Sequence, residues 1–300
     1  MTHDELKHQP VLLSEILRLL KVRQNEWYLD ATLGGGGHTS KVLQSGGKVV
    51  AIDRDFEVIR RAQTQLSGWL KQDRLRLIQG SFGQLEQLVK QAEVDKFAGI
   101  LFDLGISSLQ LDNSERGFSF RHTGPLDMRM DQTQSLTAAK IVNHYSARQL
   151  TKLFTQLADE PKARAIAHEI VHQRAQRPIL STTELAKLVV NVYGGREQVH
   201  GRHPATRVFM ALRMVVNQEL DQLIAALPVA WQYLSVSGRL AVISFHSGED
   251  RIVKHFFQHQ TRLKPAKLIT PKPLLPSEQE VQLNPRARSA KLRVIEKLAN

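Results

Sequence analysis

Four consecutive glycines, Gly34 to Gly37, follow the short run Asp30-Ala-Thr-Leu33 and precede a segment able to start a helix at His38. No other feature of this 300-residue chain limits its fold so strongly. Glycine takes up left-handed backbone without a steric penalty and lets a chain pass close to a ligand. The stretch therefore predicts a tight turn from strand to helix, with the strand at Trp27 to Leu33. Apolar runs predict further strands at Lys48 to Asp53, Leu75 to Ile78, Phe97 to Leu104 and Arg239 to Phe245. Helical spacing of apolar residues is found at 11–20, 56–70 and 249–259. Strands that alternate with helices need parallel crossovers, so the fold class is α/β with an open, doubly wound sheet.

The alternation stops between 113 and 205. Helices are predicted there at 148–157, 162–176 and 182–192, the last starting from Ser181-Thr-Thr-Glu184, and no strong strand is found. A long helix at 205–226 restores the alternation. Five of the eleven prolines fall in 265–285, which reads as an extended connector. Leu292 to Lys297 suits a closing strand. The expected domains are a first part of the α/β domain at 1–112, a helical insertion at 113–205 and a second part at 206–300.

Asp53 ends the second strand, 23 residues after Asp30. An acid at that place and spacing hydrogen-bonds ribose hydroxyls in doubly wound nucleotide-binding folds. A dinucleotide fingerprint requires Gly-x-Gly-x-x-Gly, but Thr39 or Ser40 occupies its last position. A nicotinamide-dependent dehydrogenase is thus a weaker alternative, and no phosphate-binding loop of the Gly-Lys-Ser/Thr kind exists. Asp30, ahead of the glycines, suits a cationic methionine moiety better than a pyrophosphate. Asp103 ends the fourth strand, where first and fourth strand ends face the ligand crevice. The alternatives are a turn that binds nothing and an acid that only caps a turn.

Cysteine is absent. That excludes disulfides, thiolate metal sites and the cysteine nucleophile commonly used to methylate cytosine C5. The formal charge is +12. Residues 1–112 are neutral, while 113–206 carry +5 and 207–300 carry +7. An excess confined to the last two thirds suits a polyanion partner, or simply a solvated basic face. No apolar run reaches the roughly 18 residues of a membrane span. His3, Asp4 and Glu5 do not begin a secretory signal, so a soluble, cytoplasmic protein with no membrane partner is expected. His168-Glu-Ile-Val-His172 matches the H-E-x-x-H spacing of a zinc hydrolase. Ala175 and Pro178 stand where the extended pattern needs glycine and histidine, which argues against a metal there.

Longer motifs point further. HQPVLLSEIL (8–17), DATLGGGGH (30–38), AIDRD (51–55), FDLGISSLQLD (102–112) and RGFSFRHTGPLDMRMD (116–131) resemble the RsmH (MraW) family. So do HPATRVFMALRMVVNQEL (203–220), SFHSGEDRIVK (244–254) and NPRARSAKLRV (284–294). The resemblance covers nearly the whole chain. It implies a class I S-adenosylmethionine-dependent methyltransferase fold, Rossmann-like, with an inserted helical domain expected to recognise RNA. It also implies methylation of N4 of a cytidine in the decoding centre of 16S ribosomal RNA, with the small ribosomal subunit as partner. The chain could act as a monomer or a homodimer. Carried over by position, the cofactor-binding residues are Gly36, Gly37, His38, Asp53, Phe82, Asp103 and Gln110. Gly35 stands where arginine is common, Leu109 where proline is, Met210 where glutamine is and Gly248 where leucine is.

Cytosine N4 is a poor nucleophile because its lone pair is delocalised into the ring. A group accepting an amino proton would localise that pair. Asp103, or Ser107 with Ser108, is the expected acceptor, and His246 at the end of the fifth strand is the other. His246 suits a turn-stabilising role equally well. Arg286, Arg288, Lys291 and Arg293 suit phosphate contacts, and Glu249-Asp250-Arg251 a local salt-bridge cluster. Arg116-Gly-Phe-Ser-Phe-Arg121 suits base stacking or, as readily, core packing. A non-catalytic RNA-binding assembly factor is the alternative to an enzyme.

Overall fold

The structure, a computed structural model, describes residues 10–199, 201–263 and 265–299. His3, Asp4 and Glu5, with His8 and Gln9 of the first motif, lie outside the described residues. The described chain forms two compact units. One joins the residues up to Ser107 with those from Leu220, and the other runs from Ser108 to Glu219.

The first unit begins α1 (Leu13–Leu20), β1 (Trp27–Asp30), α2 (Gly37–Gln44), β2 (Lys48–Asp53), α3 (Phe56–Gln65) and α4 (Ser67–Lys71). β3 (Leu75–Gln79), α5 (Leu85–Gln91) and β4 (Phe97–Asp103) follow. The helical unit contains α6 (Ser108–Asp112), α7 (Ala138–His144), α8 (Ala147–Ala158), α9 (Ala163–Gln176), α10 (Thr182–Val192) and α11 (Ala205–Val216). The chain then returns through α12 (Glu219–Tyr233), β5 (Leu234–Ser244), α13 (Ser247–Leu263), β6 (Ala266–Leu268), α14 (Glu278–Leu283) and β7 (Lys291–Lys297).

The sheet runs β3-β2-β1-β4-β5-β7-β6. β1 to β5 are parallel, and β7 lies antiparallel between β5 and β6. The order reverses between β1 and β4, so the switch point falls where Asp30 and Asp103 end their strands. β4 is apolar along almost its full length because it is buried on both faces. Phe97, Ile100 and Phe102 pack in one cluster with Leu85, Leu88, Leu223 and Leu227. Leu101 packs in another, with Ile16, Leu20, Ile243 and Val294.

The periodicity at 56–70 and 205–226 predicts single helices, and each is broken. The first divides at Leu66. The second divides because Asn217 ends α11 and Gln218 is left-handed, with φ of 50°. The buried Asn217 side chain accepts from the Met130 N–H at 2.9 Å and donates to the Met128 carbonyl at 2.8 Å. An apolar stripe that continues past the break conceals it from a pattern reading. α11 packs on α8 and α7, so the helical unit reaches Glu219 and begins at Ser108, wider than the 113–205 interval. The proline-rich connector contains two short elements, β6 and α14. Reciprocal caps join Ser146 with Gln149 and Ser181 with Glu184.

Candidate functional site

The carboxyl ends of β1, β2 and β4 each finish on an aspartate, and the glycine turn leaves from the first of them. Gly34 and Gly36 have φ of 50° and 74°, a region costly for other residues. Gly37 needs its hydrogen for another reason: a Cβ there would lie 2.2 Å from Pro10 Cγ. A Cβ on Gly35 meets nothing within 4 Å, so a side chain has room there.

Side-chain carboxylates hold the turn. Asp53 accepts from the Gly34 N–H at 2.9 Å and from the Asp55 N–H at 2.9 Å. Burial nevertheless raises its pKa to about 6, against those two hydrogen bonds. Asp30 is buried and accepts from the Thr39 hydroxyl at 2.7 Å and the Thr32 N–H at 3.2 Å. Its pKa is raised by burial, opposed by His38 and by these donors. The Asp103 N–H donates to Thr32 Oγ1 at 2.6 Å, which ties the end of β4 to the turn.

Asp103 is a strongly perturbed acid. Burial, then the charges of Asp30 and Glu249, push its pKa up to about 8. Its Oδ1 is buried and has no hydrogen-bond partner among the described residues. His38 Nδ1 lies 3.6 Å from Asp103 Oδ2, too far for a hydrogen bond. Burial depresses the His38 pKa, against the pull of Asp30, so the imidazole stays neutral and brings Asp103 no compensating charge.

The His38 ring is therefore inside the unit, with Nε2 against the Val11 carbonyl at 3.1 Å. Only its backbone stays on the turn, as the second residue of α2, where N–H groups lack intrahelical acceptors. Phe82 follows β3 on a short 3-10 turn. It packs edge-on against Phe102 at 5.7 Å, and the Arg54 guanidinium lies 5.6 Å from its centroid. Ser107 belongs to the same edge, its Cβ 3.8 Å from the place a Gly34 Cβ would take.

His246 takes part in the turn that starts α13, as its turn-stabilising reading expects. It precedes α13, and its Nδ1 accepts from the Glu249 N–H at 3.3 Å. Glu249 in turn accepts from the N–H groups of Phe245 and His246 at 2.8 and 3.2 Å. That is a reciprocal cap with histidine in place of serine. Ser108 and Gln110 begin the helical unit on α6, where Gln110 is buried. Thr32, Thr39, Val11 and Glu249 are the parts of the site that sequence reasoning missed. Thr32 and Thr39 flank the glycines at distances no periodicity encodes.

Of the four basic residues expected at phosphate, Arg286 and Arg288 are exposed, Lys291 is half-buried and Arg293 turns inward. Arg293 is buried and pairs with Asp250 at 2.6 Å, with Lys291 3.7 Å from the same carboxylate. Burial alone would raise the Asp250 pKa, but the Arg293 hydrogen bond and these charges hold it below its ordinary value. Asp250 thus pairs across to β7 rather than with its neighbours in sequence. Arg116 is buried and donates to the Arg129 and Met130 carbonyls at 3.0 Å. Phe118 is buried, and Phe120 lies tilted against His203 and edge-on to Phe209. Core packing thus accounts for Arg116 and Phe118, while Phe120 is half-buried and Arg121 exposed. His168 and His172 are exposed on α9, and among the described residues no third ligand joins them. No helix of the described residues is long and apolar enough to cross a membrane.

A model of the MraW methylase family matches residues 5–298. The chain is 46% identical to the ribosomal RNA small subunit methyltransferase H of Thermomicrobium roseum, over 98% of this chain and 94% of that protein. It is 46% identical to the protein of the same name from Trichodesmium erythraeum, over 98% of this chain and all of that one. A solved rRNA methylase from Streptococcus thermophilus is similar over 98% of this chain and 99% of that one, at 14% identity and a TM-score of 0.46.

Proposed function

The chain belongs to the MraW methylase family, and from that premise we propose that it methylates N4 of a cytidine in the decoding centre of 16S ribosomal RNA. The coarser reaction, methylation of ribosomal RNA with S-adenosyl-L-methionine as donor, is that of the family. The cofactor supplies an electrophilic methyl carbon on a sulfonium whose sulfur keeps the bonding pair.

The residues at the strand ends fit that cofactor. The glycine turn leaves backbone open to a ligand, Asp53 keeps lone pairs for ribose hydroxyls, and Phe82 offers an apolar wall for a purine. Asp103 carries an oxygen that is buried and unpartnered. Gly36, Gly37, the His38 backbone, Asp53, Phe82 and Asp103 would hold the cofactor, and Gln110 is assigned to it by the family resemblance alone. The helical unit, with its basic excess, would recognise the RNA.

The observation that carries the reading is Asp103 itself. A half-buried carboxyl whose pKa lies near 8, with one oxygen fully buried and unpartnered, can take a proton from an amine beside a turn suited to a nucleoside. A cation bound beside it favours the ionised, proton-accepting form. Ser107 and Ser108 are second acceptors by position. The chain has no cysteine, so the thiolate route to cytosine C5 is closed.

The test supplies labelled S-adenosylmethionine and small subunits from cells lacking the modification, then identifies the labelled nucleoside. The expected product is N4-methylcytidine. Label in 5-methylcytidine or in another base overturns the proposal. No label, with tight subunit binding, favours the assembly-factor alternative.

A further inference from the structure

The ring of His38 has a role that cofactor contact does not explain. Its Nε2 lies 3.1 Å from the Val11 carbonyl. A carbonyl only accepts, so Nε2 carries the hydrogen and Nδ1 is left as a bare acceptor. That acceptor lies 3.6 Å from Asp103 Oδ2. An ionised carboxylate facing an imidazole lone pair is mutually repelled, whereas one proton between them makes a hydrogen bond on a small closing movement. Such bonds are often long before substrate arrives.

We propose that His38 is the positioning residue of Asp103: its Nδ1 receives the O–H of the Asp103 carboxyl and so stores on that carboxyl the proton given up by the substrate amine. The proposal rests on the methyltransferase reading. As the amine gains its methyl, the nitrogen loses one proton to Asp103 and becomes neutral. The carboxylate becomes a carboxylic acid whose hydroxyl donates to His38. The proton leaves to solvent before the next cycle. His38 stays neutral throughout, in keeping with its burial. The charged groups around the pair are Asp30, at the end of β1, and Glu249, on α13. Both oppose ionisation of Asp103 and so act with His38.

The substitutions His38→Gln and His38→Asn separate this role from a structural one. Glutamine reaches the Val11 carbonyl and leaves nothing at the Nδ1 position, while asparagine places a carbonyl oxygen near it. In cofactor-free protein, carboxyl NMR of Asp103 is expected to titrate with a midpoint near that of a strongly raised acid. The midpoint falls by about one pH unit in His38→Gln and stays close to the native value in His38→Asn. Nitrogen NMR is expected to find His38 as the Nε2–H tautomer. In turnover, His38→Gln lowers kcat about thirtyfold at unchanged KM for subunits, and His38→Asn recovers most of it. An Nδ1–H tautomer overturns the proposal. So does a folded His38→Gln protein whose Asp103 titration and kcat match the wild type. Should wild-type protein give the expected titrations but place no methyl on cytidine N4, the functional reading fails and the proton pair stands.

Discussion

Asp103 and Gly37 make opposite demands on substitution. Asp103→Asn keeps the shape of the side chain, including a carbonyl oxygen, but removes the capacity to take a proton. Gly37→Ala introduces a methyl 2.2 Å from Pro10 Cγ, an overlap that forces the segment before α1 off the turn. Gly37→Ala is expected to lose about 1–3 kcal/mol of stability and to weaken S-adenosylhomocysteine binding. Gly35→Ala, with open space at its Cβ, is expected to change stability by less than about 1 kcal/mol. Denaturant melts and calorimetric titration of the two variants measure both effects; equal losses would contradict this account of the turn. The glycines and Asp53 were legible because turn chemistry and spacing survive in sequence. The Thr32 and Thr39 contacts were not, since hydroxyls that reach back onto a strand end leave no pattern.

The break between α11 and α12 depends on one side chain. Asn217 is buried and satisfies the Met130 N–H and the Met128 carbonyl. Met128 is itself left-handed, with φ of 62°, so its backbone needs such support. Asn217→Ala leaves those two groups without this partner and is expected to cost about 2–4 kcal/mol. Asn217→Asp keeps the acceptor and loses the donor, and is expected to fall between. Chemical denaturation tests the order. If Asn217→Ala melts with the wild type, the side chain does not hold the break. Strands at 48–53 and 97–104 were legible from unbroken apolar runs, because a parallel strand covered on both faces has no polar side. The helix break was not, because the apolar stripe runs through it. The reach of the helical unit to Glu219 follows from the packing of α11 on α8, a long-range fact that local pattern does not contain. Arg293 was read as a surface cation for the same reason: its partner, Asp250, is 43 positions away in the chain.

Acids raised by burial, Asp53 and Asp103 together with Asp30, give the whole molecule a pH signature. Asp53 and Asp103 have folded pKa values of about 6 and about 8, above the ordinary 3.8. The folded state therefore holds protons that the unfolded chain releases. Their contribution to stability is fully present below pH 3.8 and is lost as pH rises through about 6 and then about 8. The Tm of cofactor-free protein is expected to fall as pH rises across that window, and Asp103→Asn is expected to remove much of the fall. Scanning calorimetry across the window measures it, and a wild-type Tm that rises with pH would contradict the assignment. Binding of a cationic cofactor runs the other way, strengthening with pH until Asp103 is ionised in the free protein. The family and the sheet were legible from motifs spread along the chain. The role proposed for Asp103 was legible only as a position, since its acid neighbours come from elements far apart in sequence.

The central claim is that the carboxylate of Asp103 takes the amine proton. Single-turnover methyl transfer to unmodified small subunits, at saturating S-adenosylmethionine, tests it most directly by comparing wild type with Asp103→Asn. The account predicts a loss of about a hundredfold or more in the transfer rate, in a protein that remains folded and cofactor-saturated. Transfer at the wild-type rate would contradict it.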